Sequence, residues 1–203
     1  MTQKRGITHM QKGIFCLEGL WDDDLKQKSS VQPILHLLEI NGGIPFIYHD
    51  AATVEELEFY VSKWKQARYR NYPILYLAFH GENESLLVGR QKYHLGQLAN
   101  VLRSSCADSF FIFASCKTMM DGHGTISEFM KTTEALAVFG YRNRVCWMYS
   151  AALELLILTE LQKVDFSAKG MKNLEKKIST FAGAFQQIDY TLVIRHGARA
   201  HTR

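Results

Sequence analysis

Two short apolar runs of this 203-residue chain end in residues equipped for nucleophilic chemistry. Pro73-Ile74-Leu75-Tyr76-Leu77-Ala78-Phe79 leads into His80-Gly81, and Phe110-Phe111-Ile112-Phe113-Ala114-Ser115 leads into Cys116. A thiol beside an imidazole is the minimal pair for cysteine catalysis. The imidazole takes the thiol proton and later returns a proton to the leaving group. Both runs are aromatic and aliphatic, and polar or Gly-containing sequence follows each, as for buried strands of a parallel sheet. Ligands of such sheets bind beyond the carboxyl ends of the strands. If the two strands are neighbours, His80 and Cys116 meet over one crevice there.

The rest of the chain supplies the elements that would position the pair. Residues 12–17 read as a first strand ending at Glu18-Gly19. Asp22-Asp23-Asp24 then lead into a helix with Val31, Ile34, Leu35 and Leu38 at helical spacing and a C-cap at Asn41-Gly42-Gly43. Residues 44–48 form a second strand. Thr53-Val54-Glu55-Glu56 is a capping box that opens a helix reaching residue 69. A polar hairpin follows His80, running from Leu86-Leu87-Val88 through Gly89-Arg90 to Tyr93-His94. Residues 95–102 are helical and lead to the strand ending at Cys116. Gly122 and Gly124 predict a mobile loop over residues 117–125. Beyond it lie a helix at 126–133, a strand at 136–140, a helix at 147–161 that is apolar almost all round, a helix at 169–186 and a strand at 190–194. Strand and helix alternate five times. The expected fold is therefore α/β: a three-layer sandwich with a mainly parallel six-stranded sheet, helices on both faces, and a last strand free to attach antiparallel at an edge. Residues 11–203 form one domain, and the polar, patternless residues 1–10 read as a flexible leader.

Composition narrows the function classes. A hydrophobic fraction of 47% and a charged fraction of 22% fit a globular domain with a substantial core. The net charge of +4 lies partly in Arg195, Arg199 and Arg203, which read as a solvated tail. That is too sparse for a nucleic-acid surface. Cys16, Cys106, Cys116 and Cys146 follow neither zinc-site nor secreted-disulfide spacing, so reduced thiols and a cytoplasmic location are expected. The longest apolar run, residues 151–158, contains Glu154 and is too short to cross a membrane. His94 and His123 lack metal-ligand spacing and read as surface residues. No metal or cofactor is called for, and no oligomeric state follows.

His-Gly occurs three times, at His80-Gly81, His123-Gly124 and His196-Gly197. Only the first follows a central apolar strand with further strand–helix units after it. The order strand-His-Gly, crossover, strand-Ser-Cys, crossover, strand resembles the caspase-like cysteine peptidases, above all their bacterial CHAT-like members. Residues 133–141, then Trp147 and Ser150-Ala151-Ala152, resemble the strand and helix after the nucleophile in that grouping, so the resemblance covers roughly residues 12–196. It implies a cysteine endopeptidase with catalytic His80 and Cys116, an oxyanion hole from the backbone N–H groups of Gly81 and Cys116, and no metal. A third catalytic group is often absent there, or only a backbone carbonyl. It further implies a protein or peptide substrate, a regulatory partner protein, and a setting in bacterial signalling or defence. The 117–125 loop would offer a route for regulation by ordering or cleavage.

In the resembling families the pocket for the residue before the cut lies near the ends of the first, nucleophile and following strands. Glu18, with Asp22 and Ser115 nearby, would make it acidic and selective for Lys or Arg. The alternative is a solvated Glu18 and an Asp run that caps a helix. Arg142 and Arg144 could instead select Asp, although Ala114 and Ser115 lack the longer polar side chain that the caspase pattern places before its cysteine. Trp147 and Tyr149 either line a substrate groove or pack at a helix start. Three other readings remain open: a silent peptide-binding adaptor on the same scaffold, a receiver-like or flavodoxin-like signalling domain, and a buried thiol with a satisfied core histidine in an unrelated α/β fold. A receiver would want an acidic cluster and a phospho-acceptor Asp where His80 and Cys116 stand.

Overall fold

Alternation along the strands decides the layers. In the computed structural model, which describes residues 11–120, 124–185 and 188–195, every central strand is buried on both faces. The strands are β1 (Ile14–Glu18), β2 (Phe46–Asp50), β3 (Ile74–Ala78), β4 (His80–Glu82), β5 (Ser85–Val88), β6 (Gln91–His94), β7 (Phe110–Phe113), β8 (Ala137–Tyr141) and β9 (Tyr190–Ile194). The helices are α1 (Gln32–Gly42), α2 (Val54–Trp64), α3 (Leu95–Leu102), α4 (Gly124–Thr133), α5 (Trp147–Leu161) and α6 (Ala168–Ala182). One set of strand residues, including Phe15, Leu77, Phe79, Phe111 and Phe113, packs against α2, α3 and α4. The alternate set, including Cys16, Tyr76, Ile112, Phe139 and Tyr141, packs against α1, α5 and α6. Period-2 side-chain alternation thus gives one sheet two apolar faces and requires a helical layer on each.

The sheet order is β2-β1-β3-β7-β8-β9. Five strands run parallel, and β9 closes the edge antiparallel to β8. This is the expected three-layer α/β sandwich with an antiparallel last strand. His80 and Cys116 follow β3 and β7, the two central strands. Among the described residues no helix is long and apolar enough to cross a membrane.

Local signals mostly hold. Thr53 Oγ1 accepts the Glu56 N–H at 3.2 Å and Glu56 Oε2 accepts the Thr53 N–H at 3.2 Å, so the capping box forms. Gly43, at φ 65°, ends α1 in the left-handed conformation that favours glycine. Other features differ. Asp22-Asp23-Asp24 do not cap α1; they lie exposed in a loop, and α1 starts at Gln32 with a proline in its first turn. The helix from Val54 stops at Trp64, and a 3-10 turn at Ala67–Tyr69 follows. His80 is itself the first residue of β4, which turns the expected hairpin into a three-stranded antiparallel sheet. His94 is exposed as expected, and it also caps α3, its Nδ1 accepting the Gly96 N–H at 3.0 Å. Arg195 is anchored, its guanidinium donating to the carbonyls of Glu134 and Ala107. The leader expected at 1–10, His123, His196, Arg199 and Arg203 lie outside the described residues.

Phe111 sits among Trp64 and Phe129, ring centroids 5.7 and 5.2 Å away at near-perpendicular angles. Truncation there removes edge-to-face contacts and opens a cavity under the strand that ends in Cys116. Phe111→Ala should lower unfolding stability by about 3–5 kcal/mol. In denaturant unfolding the midpoint should fall while the slope stays constant.

Candidate active site

Strand register brings the two residues level. Leu77 pairs with Phe113 in the β3–β7 ladder. Beyond the ladder the Phe79 N–H donates to Ser115 Oγ at 3.3 Å, across an interval of 36 residues. The same interval separates His80 from Cys116. Gly81 completes the juxtaposition. A Cβ at Gly81 would lie 2.2 Å from the Cys116 carbonyl oxygen, 2.9 Å from Thr118 Cγ2 and 3.0 Å from Ser115 Cβ. The β4 backbone therefore approaches the turn at Ser115–Thr118 as closely as only glycine allows.

The turn after Cys116 is pinned. Thr118 Oγ1 donates to the Ser115 carbonyl at 3.0 Å, and the Met119 N–H donates to the Tyr141 carbonyl at 3.1 Å. Lys117 adopts φ 55°, a left-handed conformation uncommon outside glycine, and its N–H reaches the Asn143 carbonyl. This start of the expected mobile loop is held at both the Cys116 and β8 ends, while residues 121–123 lie outside the described residues. The Cys116 N–H has no protein acceptor among the described residues. The β4–β5 hairpin closes on the Glu82–Ser85 pair through a two-residue turn with φ of 46° and 59°. Ladder alternation then turns the Gly81 N–H away from β5. Two backbone N–H groups, of Gly81 and Cys116, stand beside His80 without ladder partners.

His80 lies at the rim, and its Nε2 is 2.7 Å from the Trp21 carbonyl oxygen. A carbonyl can only accept, so Nε2 carries the proton. In the neutral ring Nδ1 is then the basic nitrogen. Trp21 also packs edge-on against the imidazole at 5.1 Å and against Trp147 at 4.6 Å. This third group was not identifiable from sequence, because the backbone contributes it and its residue type carries no signal.

Of the four thiols, burial pushes Cys16 well up and Cys106 up to about 11, which leaves both inert at neutral pH. Cys146 is exposed just before α5. Cys116 is half-buried and lines a cavity of about 170 Å³ together with His80, Ser115, Tyr141, Trp147 and Glu154. The structure therefore gathers His80, Gly81, Ser115, Cys116 and Trp147 at one place. The Ser115 hydroxyl is engaged by the Phe79 N–H.

Glu18 and Asp22 are not brought to that cavity. They line a neighbouring one of about 450 Å³ that shares only Trp21 with it. Glu18 is buried, and donors surround its carboxylate: Trp21 Nε1, Ser30 Oγ at 2.6 Å, the Val31 N–H at 2.8 Å and Tyr48 OH at 2.6 Å, the last shared with Asp50 Oδ1 at 2.7 Å. With these partners it fastens the loop carrying Trp21. Arg142 is also turned away, its Nε donating to Thr191 Oγ1 at 2.6 Å beside Asp189. Tyr149 packs against Phe185.

The acid that does reach the dyad cavity is Glu154 of α5, 2% exposed. Tyr141 OH donates to its Oε1 at 2.7 Å, and Tyr76 OH donates to its Oε2. Burial pushes its carboxyl up to about 7, although the two tyrosine hydrogen bonds pull the other way. One acid within the otherwise apolar run 151–158 was the sequence signal for it.

Two measurements check this geometry. Gly81→Ala should cost about 1–3 kcal/mol, because the nucleophile turn must move to admit the methyl group; an unchanged denaturation midpoint would contradict the close approach. Glu154 binds its proton more tightly folded than unfolded, where its ordinary value is 4.5. Its contribution to stability is therefore complete below about pH 4.5 and is lost as pH rises through about 7, a span on the order of 3 kcal/mol. Glu154→Gln should flatten the decline in unfolding free energy between pH 5 and 8, and identical slopes in both proteins would refute the assignment.

Among the described residues no three His, Cys, Asp or Glu side chains gather as a metal site. No curated protein matches the chain. A family model described as a family of unknown function, DUF6642, matches residues 11–192. That match spans most of the sequence and both strands that carry the dyad, and the chain belongs to this family.

Proposed function

We propose that the protein is a cysteine endopeptidase that cleaves a partner protein after a basic residue, in a bacterial signalling or defence setting. The observation that carries this reading is the shared cavity of His80 and Cys116, with the Nε2 of His80 tied to the Trp21 carbonyl and the Cys116 N–H without a protein acceptor. Together they provide a base, a nucleophile, an orienting group and an oxyanion donor, the minimal parts for acyl transfer.

The steps follow from these parts. Nδ1 of His80 takes the Cys116 proton, and the thiolate sulfur bonds to the scissile carbonyl carbon. The carbonyl electrons move onto oxygen, and the backbone N–H groups of Gly81 and Cys116 stabilise the oxyanion. Collapse re-forms the carbonyl and breaks the C–N bond. The imidazolium returns its proton to the leaving amine and a thioester remains. Water then loses a proton to His80 as its oxygen attacks the thioester. The carboxyl product departs, and the proton returns to sulfur. The orienting carbonyl lets the imidazolium form without losing its geometry. Leu20 and Met148, large apolar residues left exposed next in sequence to Trp21 and Trp147, offer contact area for a peptide chain.

Incubation with acyloxymethylketone probes bearing Lys, Arg or Asp tests the reading. The wild-type protein should gain one probe mass, mapped by peptide mass spectrometry to Cys116. Cys116→Ala should not react, and His80→Ala should react about 100-fold more slowly. Labelling that persists in Cys116→Ala would sink the dyad assignment.

A further inference from the structure

The dyad cavity is narrow, largely apolar and has one acidic group within it. Val31, Phe79, Ala114, Val145 and Ala151 contribute apolar walls, and Trp21 and Trp147 flank them. No lysine or arginine lines the cavity. Glu154 comes from the first half of α5, two turns into a helix whose N-terminal residue, Trp147, also lines the cavity. Each of its carboxylate oxygens takes one tyrosine proton, so each keeps a further lone pair. Ser150 and Tyr141 also line the cavity; the Ser150 hydroxyl donates to the Trp147 carbonyl at 2.9 Å and that of Tyr141 to Glu154, which leaves both oxygens able to accept. An ammonium group has three N–H donors, and these three side chains provide an acceptor for each.

We propose that this cavity is the recognition pocket for a lysine side chain of the substrate, its alkyl stem against the apolar walls and its ammonium on Glu154. The proposal rests on the peptidase reading for the direction in which the substrate enters. It moves the selecting acid from Glu18, whose donors are already in place, to Glu154. An acidic substrate side chain would meet Glu154 with no cation to offset it, which disfavours cleavage after Asp. A norleucine side chain fills the same walls but leaves the carboxyl without a charged partner, so it isolates what the ammonium contributes.

Titration strengthens the discrimination. Around Glu154 stand Tyr76 from β3, Tyr141 from β8 and the inert Cys16 from β1, with His80 and Cys116 across the cavity. Its carboxyl, raised by burial to about 7, is mostly neutral in the empty cavity at pH 5.5 and mostly ionised at pH 8. Lysine stays charged over that range. Preference for lysine over norleucine should therefore grow with pH. The norleucine ligand reports whatever the dyad itself does with pH, so the ratio of the two isolates Glu154.

The test has two arms. In the first, Nα-acetyl-lysine methylamide and its norleucine counterpart are titrated into Cys116→Ala protein, followed by the fluorescence of Trp21 and Trp147. The lysine compound should bind about tenfold more tightly or better at pH 8, as for one charge-assisted hydrogen bond. That ratio should fall to about twofold or less at pH 5.5, and likewise in a Glu154→Gln, Cys116→Ala double variant. The wild-type pH series needs no change at Glu154, so it stands even if that variant misfolds. In the second arm, lysine, arginine and norleucine acyloxymethylketones compete for Cys116 in otherwise unmodified protein. Labelling without lysine preference at either pH overturns the pocket and leaves the peptidase reading standing. Lysine-selective binding with no labelling by any probe supports the pocket and overturns the peptidase reading. Equal binding of the two amides, or a preference unchanged by Glu154→Gln, overturns the pocket outright.

Discussion

Everything at the candidate site depends on how closely two backbones approach. Gly81 lies against the Cys116 carbonyl where a Cβ would come within 2.2 Å. The sheet register sets that approach, and the Phe79 N–H bonded to Ser115 Oγ continues it beyond the ladder. A parallel pair fixes relative height but not the path of the chain past the strand ends. Here both paths are fixed. β4 turns His80 and Gly81 into a small antiparallel sheet, and Thr118, Lys117 and Met119 tie the other turn down. Side chains at such a junction are positioned by main-chain hydrogen bonds rather than by loop packing, and that precision is what a reacting pair needs.

The second dependence runs through Glu18. Its carboxylate gathers Trp21 from the start of the long β1–α1 connection, Ser30 and Val31 from its end, and Tyr48 from β2, and so closes that connection over the strand ends. Trp21 then serves three neighbours: its indole N–H holds Glu18, its carbonyl orients His80, and its ring packs against Trp147. A buried carboxylate with every partner in place is costly to disturb, because each donor it leaves behind loses its hydrogen bond inside the protein. The loop is thereby coupled to the dyad even though Glu18 faces another cavity.

Much of this was legible in the sequence, for identifiable reasons. Continuous apolar runs marked β3 and β7, the Thr53–Glu56 pair marked the start of α2, and the helices expected at 95–102 and 147–161, the second from its long all-round apolar run, form at those bounds. The placing of His80 and Cys116 followed from strand ends alone. Three features were less accessible. The Asp run suggested a helix start, but Glu18 and the Ser30–Val31 turn define it, a contact between residues distant in sequence. β4 escaped notice because a three-residue strand has too few positions for a periodic signal. The Trp21 carbonyl could not be read at all, since backbone groups are common to every residue.

Glu18 and Glu154 show how the same residue type is put to opposite uses. Both are 2% exposed, and both sit beside the dyad region. Glu18 has donors from the Ser30 hydroxyl, an indole and a backbone N–H, and shares the Tyr48 hydroxyl with Asp50, so its oxygens have partners before any ligand arrives. Glu154 has two phenols and apolar surroundings, and burial raises its carboxyl toward neutrality. A carboxylate that is already satisfied can only organise structure. One that is short of donors keeps an unmet demand for a cation, and the protein can tolerate that demand because a proton meets it in the empty state. The number of donors around each acid, more than its distance from Cys116, separates the carboxylate whose partners are complete from the one whose carboxyl burial has raised.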